Sequence, residues 1–264
     1  MQAIHPSKPY LKGNINHSVC PWCYEGISLD ELCNAAKSIG ITAIDLVGPA
    51  DWPTLKKYGL HSPMCNGAEI NLVDGFNDKQ FHTQLFKNYA EMIPQVAAAG
   101  YTNLICFSGN RRGISDEEGW NNCVDGLKPL IPIAEQYGVV LVMELLNSKI
   151  DHPDYQCDRT AWGVELCKRL GSENFKLLYD IYHMQVDEGD VINNITQNHQ
   201  YIAHYHTAGV PGRNEIDETQ ELYYPAIMKA ILATGFNGYV AQEFVPKYPD
   251  KLLSLKKAVE ICDV

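Results

Sequence analysis

Apolar residues in this chain fall into short unbroken runs, separated by longer stretches in which they recur every three to four positions. The short runs predict strands at Ile15–Val19, Ala43–Val47, Leu60–Cys65, Asn103–Phe107, Val139–Leu145, Lys176–Tyr179, Ile202–Thr207 and Gly238–Phe244. The periodic stretches predict helices at Leu29–Ile39, Asp51–Tyr58, Asp78–Ala99, Asp116–Tyr137, Arg159–Leu170, Asp190–Asn198, Tyr223–Thr234 and Pro249–Ile261. Strands that are apolar throughout suit a parallel sheet buried on both faces. Gly40, Gly59, Gly100, Gly138, Gly171 and Gly235 each stand just past a helix, where a left-handed residue ends it. Ser28, Asp78 and Asp116 are placed to cap helix N-termini. Eight strand–helix units in 264 residues predict an α/β fold, a (β/α)8 TIM barrel that forms one domain over residues 1–264. The rival is an open doubly wound sheet, but no GxGxxG follows the first strand.

Composition narrows the picture. Hydrophobic residues at 45% and charged residues at 20% are enough for a sizeable core, which excludes disorder as the main theme. The formal charge of −11 argues against a nucleic-acid backbone as partner, because phosphate binding needs clustered Lys and Arg. No apolar run reaches the roughly 18–20 residues of a membrane span, and the polar start MQAIHPSKPYLKGNINHS lacks an apolar signal-peptide core. Nine scattered cysteines read as reduced thiols, which makes the cytoplasm the expected compartment. Cys20-Pro-Trp-Cys23 has redox or half-zinc spacing, yet no second CxxC or CxxH accompanies it, so two small residues packing a loop near the barrel mouth is the simpler reading.

In a barrel of this kind the site lies at the C-terminal strand ends. Glu144 lies near that end of the fifth predicted strand, Asp180 ends the sixth, His206 the seventh and Glu243 the eighth. Three carboxylates and an imidazole brought to one level would repel strongly unless a divalent cation joined them. The oxygen-rich set favours Mg2+ or Mn2+, with Zn2+ or Co2+ as alternatives. His183, three residues beyond Asp180, could polarise a substrate oxygen or serve only as a supporting hydrogen bond. Arg213, in the loop GVPGRNE, could grip a carboxylate or an oxyanion, or pair at the surface with Glu215 or Asp217. Asn147, Lys149 and His152 could position substrate or order their own loop; Trp22, Trp52 and Phe107 could wall the pocket or simply pack. Glu69 has no assigned role.

The segments VMELLNSKIDHPDY, CFSGNRRG, LLYDIYHMQVDEGD, PGRNEID and YVAQEF resemble the hydroxypyruvate isomerase branch of the xylose-isomerase-like TIM barrels, over most of the chain. The resemblance implies an intramolecular oxidoreductase of the aldose–ketose type. Glu144 and Glu243 would be the proton-moving pair; Glu144, Asp180, His206 and Glu243 the metal ligands; and His183 and Arg213 substrate contacts. The ligand at position 206 is His in related ketose 3-epimerases and Gln in typical hydroxypyruvate isomerases. Those isomerases are commonly described without a metal requirement, which leaves the need for a cation open. The chemistry expected is proton transfer through an enediolate, most simply hydroxypyruvate to tartronate semialdehyde. A ketose 3-epimerase of the tagatose or psicose type and an inosose-type dehydratase are the rivals on the same barrel. An endonuclease IV-like phosphodiesterase or a non-catalytic carbohydrate binder fits less well. The expected partner is a small hydroxy-carbonyl molecule, with no nucleic acid and no membrane; self-association into a homo-oligomer stays open.

Overall fold

Seven parallel strands form one curled sheet: β1 (Asn16–Val19), β2 (Ala43–Ile44), β3 (Asn103–Cys106), β4 (Val140–Glu144), β5 (Phe175–Asp180), β6 (Ile202–Thr207) and β7 (Tyr239–Gln242). Their order across the sheet is β2-β1-β7-β6-β5-β4-β3. The structure is a computed structural model that describes residues 11–264. The first ten residues of the polar N-terminal stretch lie outside the described residues, as does that part of the 1–264 domain range.

The third predicted strand, Leu60–Cys65, is not a regular strand. It makes isolated parallel bridges, Ala43 to His61, Val47 to Cys65 and Cys65 to Leu104. These contacts join the two ends of the sheet, β2 and β3, into a ring. Pro63 explains the irregularity, since it has no N–H to offer a ladder. The segment is tied instead by Leu46 N–H donating to Met64 O (2.9 Å), Cys65 N–H to Asn103 O (2.9 Å) and Ile105 N–H to Cys65 O (2.9 Å).

The helices are α1 (Leu29–Ile39), α2 (Trp52–Tyr58), α3 (His82–Ala99), α4 (Asp116–Leu127), α5 (Ile131–Tyr137), α6 (Thr160–Leu170), α7 (Ile181–Asp187), α8 (Val191–Asn198), α9 (Tyr224–Ala233) and α10 (Lys251–Cys262). The predicted helix Asp116–Tyr137 divides into α4 and α5. Pro129 and Pro132 lie at the break; each removes a helical donor and disfavours helix in the residue before it. The cap of α4 is Ser115, whose side chain accepts from Glu118 N–H, so Asp116 is the first helical residue rather than the cap. Ser28 caps α1 with a reciprocal capping box to Glu31, and Asp78 caps the short 3-10 turn before α3. The sequence pattern also missed α7, a two-turn helix directly after β5 that Asp180 caps through His183 N–H.

The core is a continuous apolar cluster that fills the space between sheet and helices and includes Ile44, Leu104, Leu141, Val142, Leu177 and Val240. All nine cysteines are free and buried, Cys20 and Cys23 among them. Among the described residues no helix is long and apolar enough to cross a membrane.

Candidate active site

Neighbouring strands bring the site together by register. Between β5 and β6 the pairing slips by one residue near Leu177, and the extra residue on β6 sets Asp180 opposite His206. β6 and β7 then pair His206 with Ala241 and Thr207 with Gln242, so Glu243 follows one position beyond. Glu144 ends β4. Ligand atoms of Glu144, Asp180, His206 and Glu243 all lie within 4.8 Å of one another, and all four residues are buried. His206 Nδ1 is 2.9 Å from Glu243 Oε2 and 3.3 Å from Glu144 Oε1, yet it is aligned for a hydrogen bond with neither. Glu144 Oε1 and Asp180 Oδ2 are likewise buried without hydrogen-bond partners. Bare donor atoms facing one point, oxygen-rich with a single imidazole, fit a hard divalent cation and satisfy the chemistry such an ion requires.

Charge around this point is sharply divided. Burial, with Glu243 and Glu144 nearby, pushes the Asp180 carboxyl up to about 8, although Arg213 pulls the other way. Burial also raises Glu144, against the pull of His206. Glu243 is held well below the ordinary range: burial acts against this but is outweighed by His206 and Arg213. His206 is raised well above its ordinary value, because Glu243, Asp45 and Glu144 together overcome its burial.

Arg213 reaches this centre rather than the surface. Its Nη2 is 2.6 Å from Glu243 Oε2 and 3.5 Å from Asp180 Oδ2, and the guanidinium lies over the rings of Trp22 (5.1 Å) and Tyr182 (5.6 Å). Glu215, one suggested surface partner, instead accepts from Lys247 N–H, Tyr248 N–H and the Ser254 hydroxyl. Asp217, the other, accepts from Thr219 and the Tyr248 hydroxyl. The tight loop that aims Arg213 is closed by Gly209 N–H to Asn214 O (2.8 Å). A side chain at Gly209 would put its Cβ 2.2 Å from Glu215 O, so only glycine fits there.

His183 is fixed by Asn147. Asn147 Oδ1 accepts from Ile150 N–H and Asp151 N–H, which settles the amide orientation. Asn147 Nδ2 therefore donates to His183 Nδ1 at 2.7 Å, and the ring proton sits on Nε2. That Nε2 is buried without a partner, 3.7 Å from Asp180 Oδ2. Burial, then Arg213, holds His183 well below its ordinary value, so the ring is neutral and an N–H donor.

The remaining candidates separate cleanly. Trp22 belongs to the site, its indole donating to Glu243 Oε1 at 3.0 Å. His152 lies against the His183 ring at 5.2 Å. Lys149 donates to the carbonyls of Val186 and Asp187 at the end of α7, Trp52 donates to Val47 O and packs on Tyr101, and Phe107 is buried in the core. Glu69 accepts from Gly67 N–H within its own loop. The sequence reading passed over Asp45, fully buried just beyond β2, whose Oδ2 is 2.9 Å from His206 Nε2 and 3.0 Å from His204 Nε2. Despite its burial Asp45 is pulled down to about 2 by the two histidines. The available signal was a lone acid inside the apolar run AIDLV. A groove of about 800 Å3 between α1 and α10 includes Glu31, Asn34 and Leu253 and contains none of the clustered side chains.

The family model of the xylose isomerase-like TIM barrel matches residues 33–260. The chain belongs to that family. Among curated relatives it is 35% identical over 114 residues to a 2-oxo-tetronate isomerase of Cupriavidus necator, covering 43% of each chain. It is 31% identical over 159 residues to the hydroxypyruvate isomerase of Escherichia coli, covering 60% of this chain and 61% of that one. The aligned stretches thus span about half the length of these curated relatives. A solved structure of D-psicose 3-epimerase with D-tagatose from Clostridium cellulolyticum superposes with a TM-score of 0.76 at 16% identity, covering 94% of this chain and 98% of that one, a likeness of fold.

Proposed function

We propose that this chain is an isomerase that moves a proton between adjacent carbons of a small hydroxy-carbonyl acid, with hydroxypyruvate to tartronate semialdehyde as the leading reaction. The observation that carries the reading is the convergence of Glu144, Asp180, His206 and Glu243, with an unpartnered donor atom on each of the first three. A divalent cation held by these four, Mg2+ or Mn2+ by the hardness of the set, would supply fixed positive charge beside the substrate oxygens.

The residues divide the remaining tasks. One glutamate takes the proton from C3 of hydroxypyruvate, the C–H electron pair becomes the C2–C3 double bond, and the carbonyl electrons move to O2 as an enediolate. The other glutamate returns a proton to C2 as the C3 hydroxyl proton passes to O2, leaving an aldehyde at C3 and a hydroxyl at C2. Glu144, raised by burial, and Glu243, held ionised by His206 and Arg213, have the split proton affinities that such an exchange uses. The Nε2–H of His183 and the guanidinium of Arg213 face the region where O2 charge develops or a substrate carboxylate would lie. Trp22 and Tyr182 flank Arg213 and limit its water.

The second reading is a ketose 3-epimerase, in which the proton returns to the same carbon from the other face. His206 as a cation ligand favours it. The test is a panel of hydroxypyruvate, fructose, tagatose, psicose and inosose in D2O, followed by proton NMR with and without chelator, for the wild type, Glu144→Gln and Glu243→Gln. The isomerase reading expects hydroxypyruvate turnover with deuterium entering the product. It also expects either variant to lose about 10^2–10^4-fold in rate. Epimerisation of a ketose without hydroxypyruvate turnover selects the second reading. Full activity of either variant removes that glutamate from the proton pair.

A further inference from the structure

We propose that Asp45 is a positioning residue that sets the tautomer and aim of His206 toward the cation site. The inference rests on the reading of that site given above.

A neutral imidazole carries one ring proton, and the hydrogen bond at one nitrogen decides which nitrogen is left bare. Asp45 Oδ2 stands 2.9 Å from His206 Nε2. An ionised carboxylate can only accept, so the proton is held at Nε2. Nδ1 faces Glu243 Oε2 at 2.9 Å and Glu144 Oε1 at 3.3 Å, and the proton it holds there without a cation is the one a cation would displace, leaving its lone pair for the metal. Without Asp45 the ring could carry its proton on Nδ1 and point an N–H at the place where a cation would sit. Metal-bound histidines generally have such an outer partner, and its loss weakens the ligand it holds.

Asp45 is itself held rigidly. His204 Nε2 is 3.0 Å from the same Oδ2, and the Ser18 hydroxyl is 3.3 Å from Oδ1. The arrangement is not the usual filling of a barrel. Barrel interiors are ordinarily filled by layers of branched apolar side chains, and a fully buried carboxylate is a worse filling than those. The next residue, Leu46, has a φ of 51°, a left-handed conformation that is unfavourable for a bulky side chain. A buried charge against His206, followed at once by a strained backbone, is explained if Asp45 is kept for the site.

The experiment uses the full chain with Mn2+ as the probe. Its affinity is measured by the free-Mn2+ electron paramagnetic resonance signal for the wild type, Asp45→Ala and Asp45→Asn. In parallel, histidine ring nitrogen shifts are read by NMR in the Mg2+-loaded protein. Thermal melting without added metal monitors the fold. Asp45→Ala should weaken Mn2+ binding by about 10–100-fold, and Asp45→Asn, a neutral acceptor of the same shape, by roughly tenfold. Melting should fall, since the buried N–H groups of His204 and His206 lose their acceptor, so affinities are compared at a temperature where each variant is folded. In the wild type His206 should be protonated at Nε2 and bare at Nδ1, and Asp45→Ala should lose that pattern. A variant affinity within twofold of the wild type, or a wild-type His206 protonated at Nδ1, overturns the proposal. Two equivalents of metal in the wild type with one lost in Asp45→Ala would make Asp45 a ligand, which also overturns it. If Asp45→Ala does not fold, the isosteric Asn variant decides by the same criteria. A wild type that takes up no Mn2+ overturns the cation site itself, an outcome distinct from the failure of Asp45 alone.

Discussion

Arg213→Met removes a charge while keeping most of an apolar stem. The lost guanidinium stands 2.6 Å from Glu243 Oε2 and 3.5 Å from Asp180 Oδ2, with its side chain only 16% exposed. Removing one partner of a buried ion pair costs about 3–5 kcal/mol, because the partner charge is left uncompensated. For a chain of this size each kcal/mol shifts the melting temperature by about 2–4 °C, so the metal-free variant should melt roughly 6–20 °C below the wild type. Two features of the site adjust that figure. Asp180, already pushed up to about 8, can take a proton and shed part of the strain, so the loss is larger at pH 8.5 than at pH 6. A bound divalent cation compensates the same carboxylates, and Arg213 repels it. The variant should therefore bind Mn2+ more tightly than the wild type, and saturating Mn2+ should recover most of the lost stability. The assay is differential scanning calorimetry in chelator and in excess Mn2+ at the two pH values. An unchanged melting temperature in chelator, or an equal drop with and without Mn2+, would refute the reasoning.

The raised Asp180 carboxyl also sets a pH dependence in the wild type. Between its ordinary value and about 8 the folded chain holds a proton that the unfolded chain releases. The metal-free protein therefore loses stability as pH rises through that window. A cation must displace that proton, so Mn2+ affinity should climb toward pH 8 and then level off; an affinity independent of pH from 6 to 8 would contradict this. Cys20 and Cys23 are free, buried and pushed well above the ordinary thiol range by burial, so the native chain should resist a thiol reagent, and its activity should not change with reductant. Activity that depends on reductant would restore a redox role for the pair.

The repeat was legible because parallel buried strands and glycine-ended helices leave strong local marks. The four clustered residues were legible because acids and a histidine at the ends of apolar runs have no cheap structural reason to be there. Two departures had a local mark, proline, that the hydrophobic period overrode, and others depend on distant contacts. Pro63 turned the third strand into a set of bridges, and Pro129 with Pro132 split one helical period into α4 and α5. Arg213 has nearby acids in sequence at Glu215 and Asp217, but its partners, Glu243 and Asp180, lie about thirty positions away and are met only through folding. Asp45 was visible as a single acid in an apolar run, but its significance lies in two histidines on β6.

The central claim is that side chains 144, 180, 206 and 243 surround one divalent cation. Crystals grown with Mn2+ and measured at the manganese absorption edge test it directly. The account predicts one strong anomalous peak bound by Glu144, Asp180, Glu243 and the Nδ1 of His206, and its disappearance in Glu243→Gln or a marked weakening there. A cluster that carries no peak, or a peak held by other residues, would contradict it.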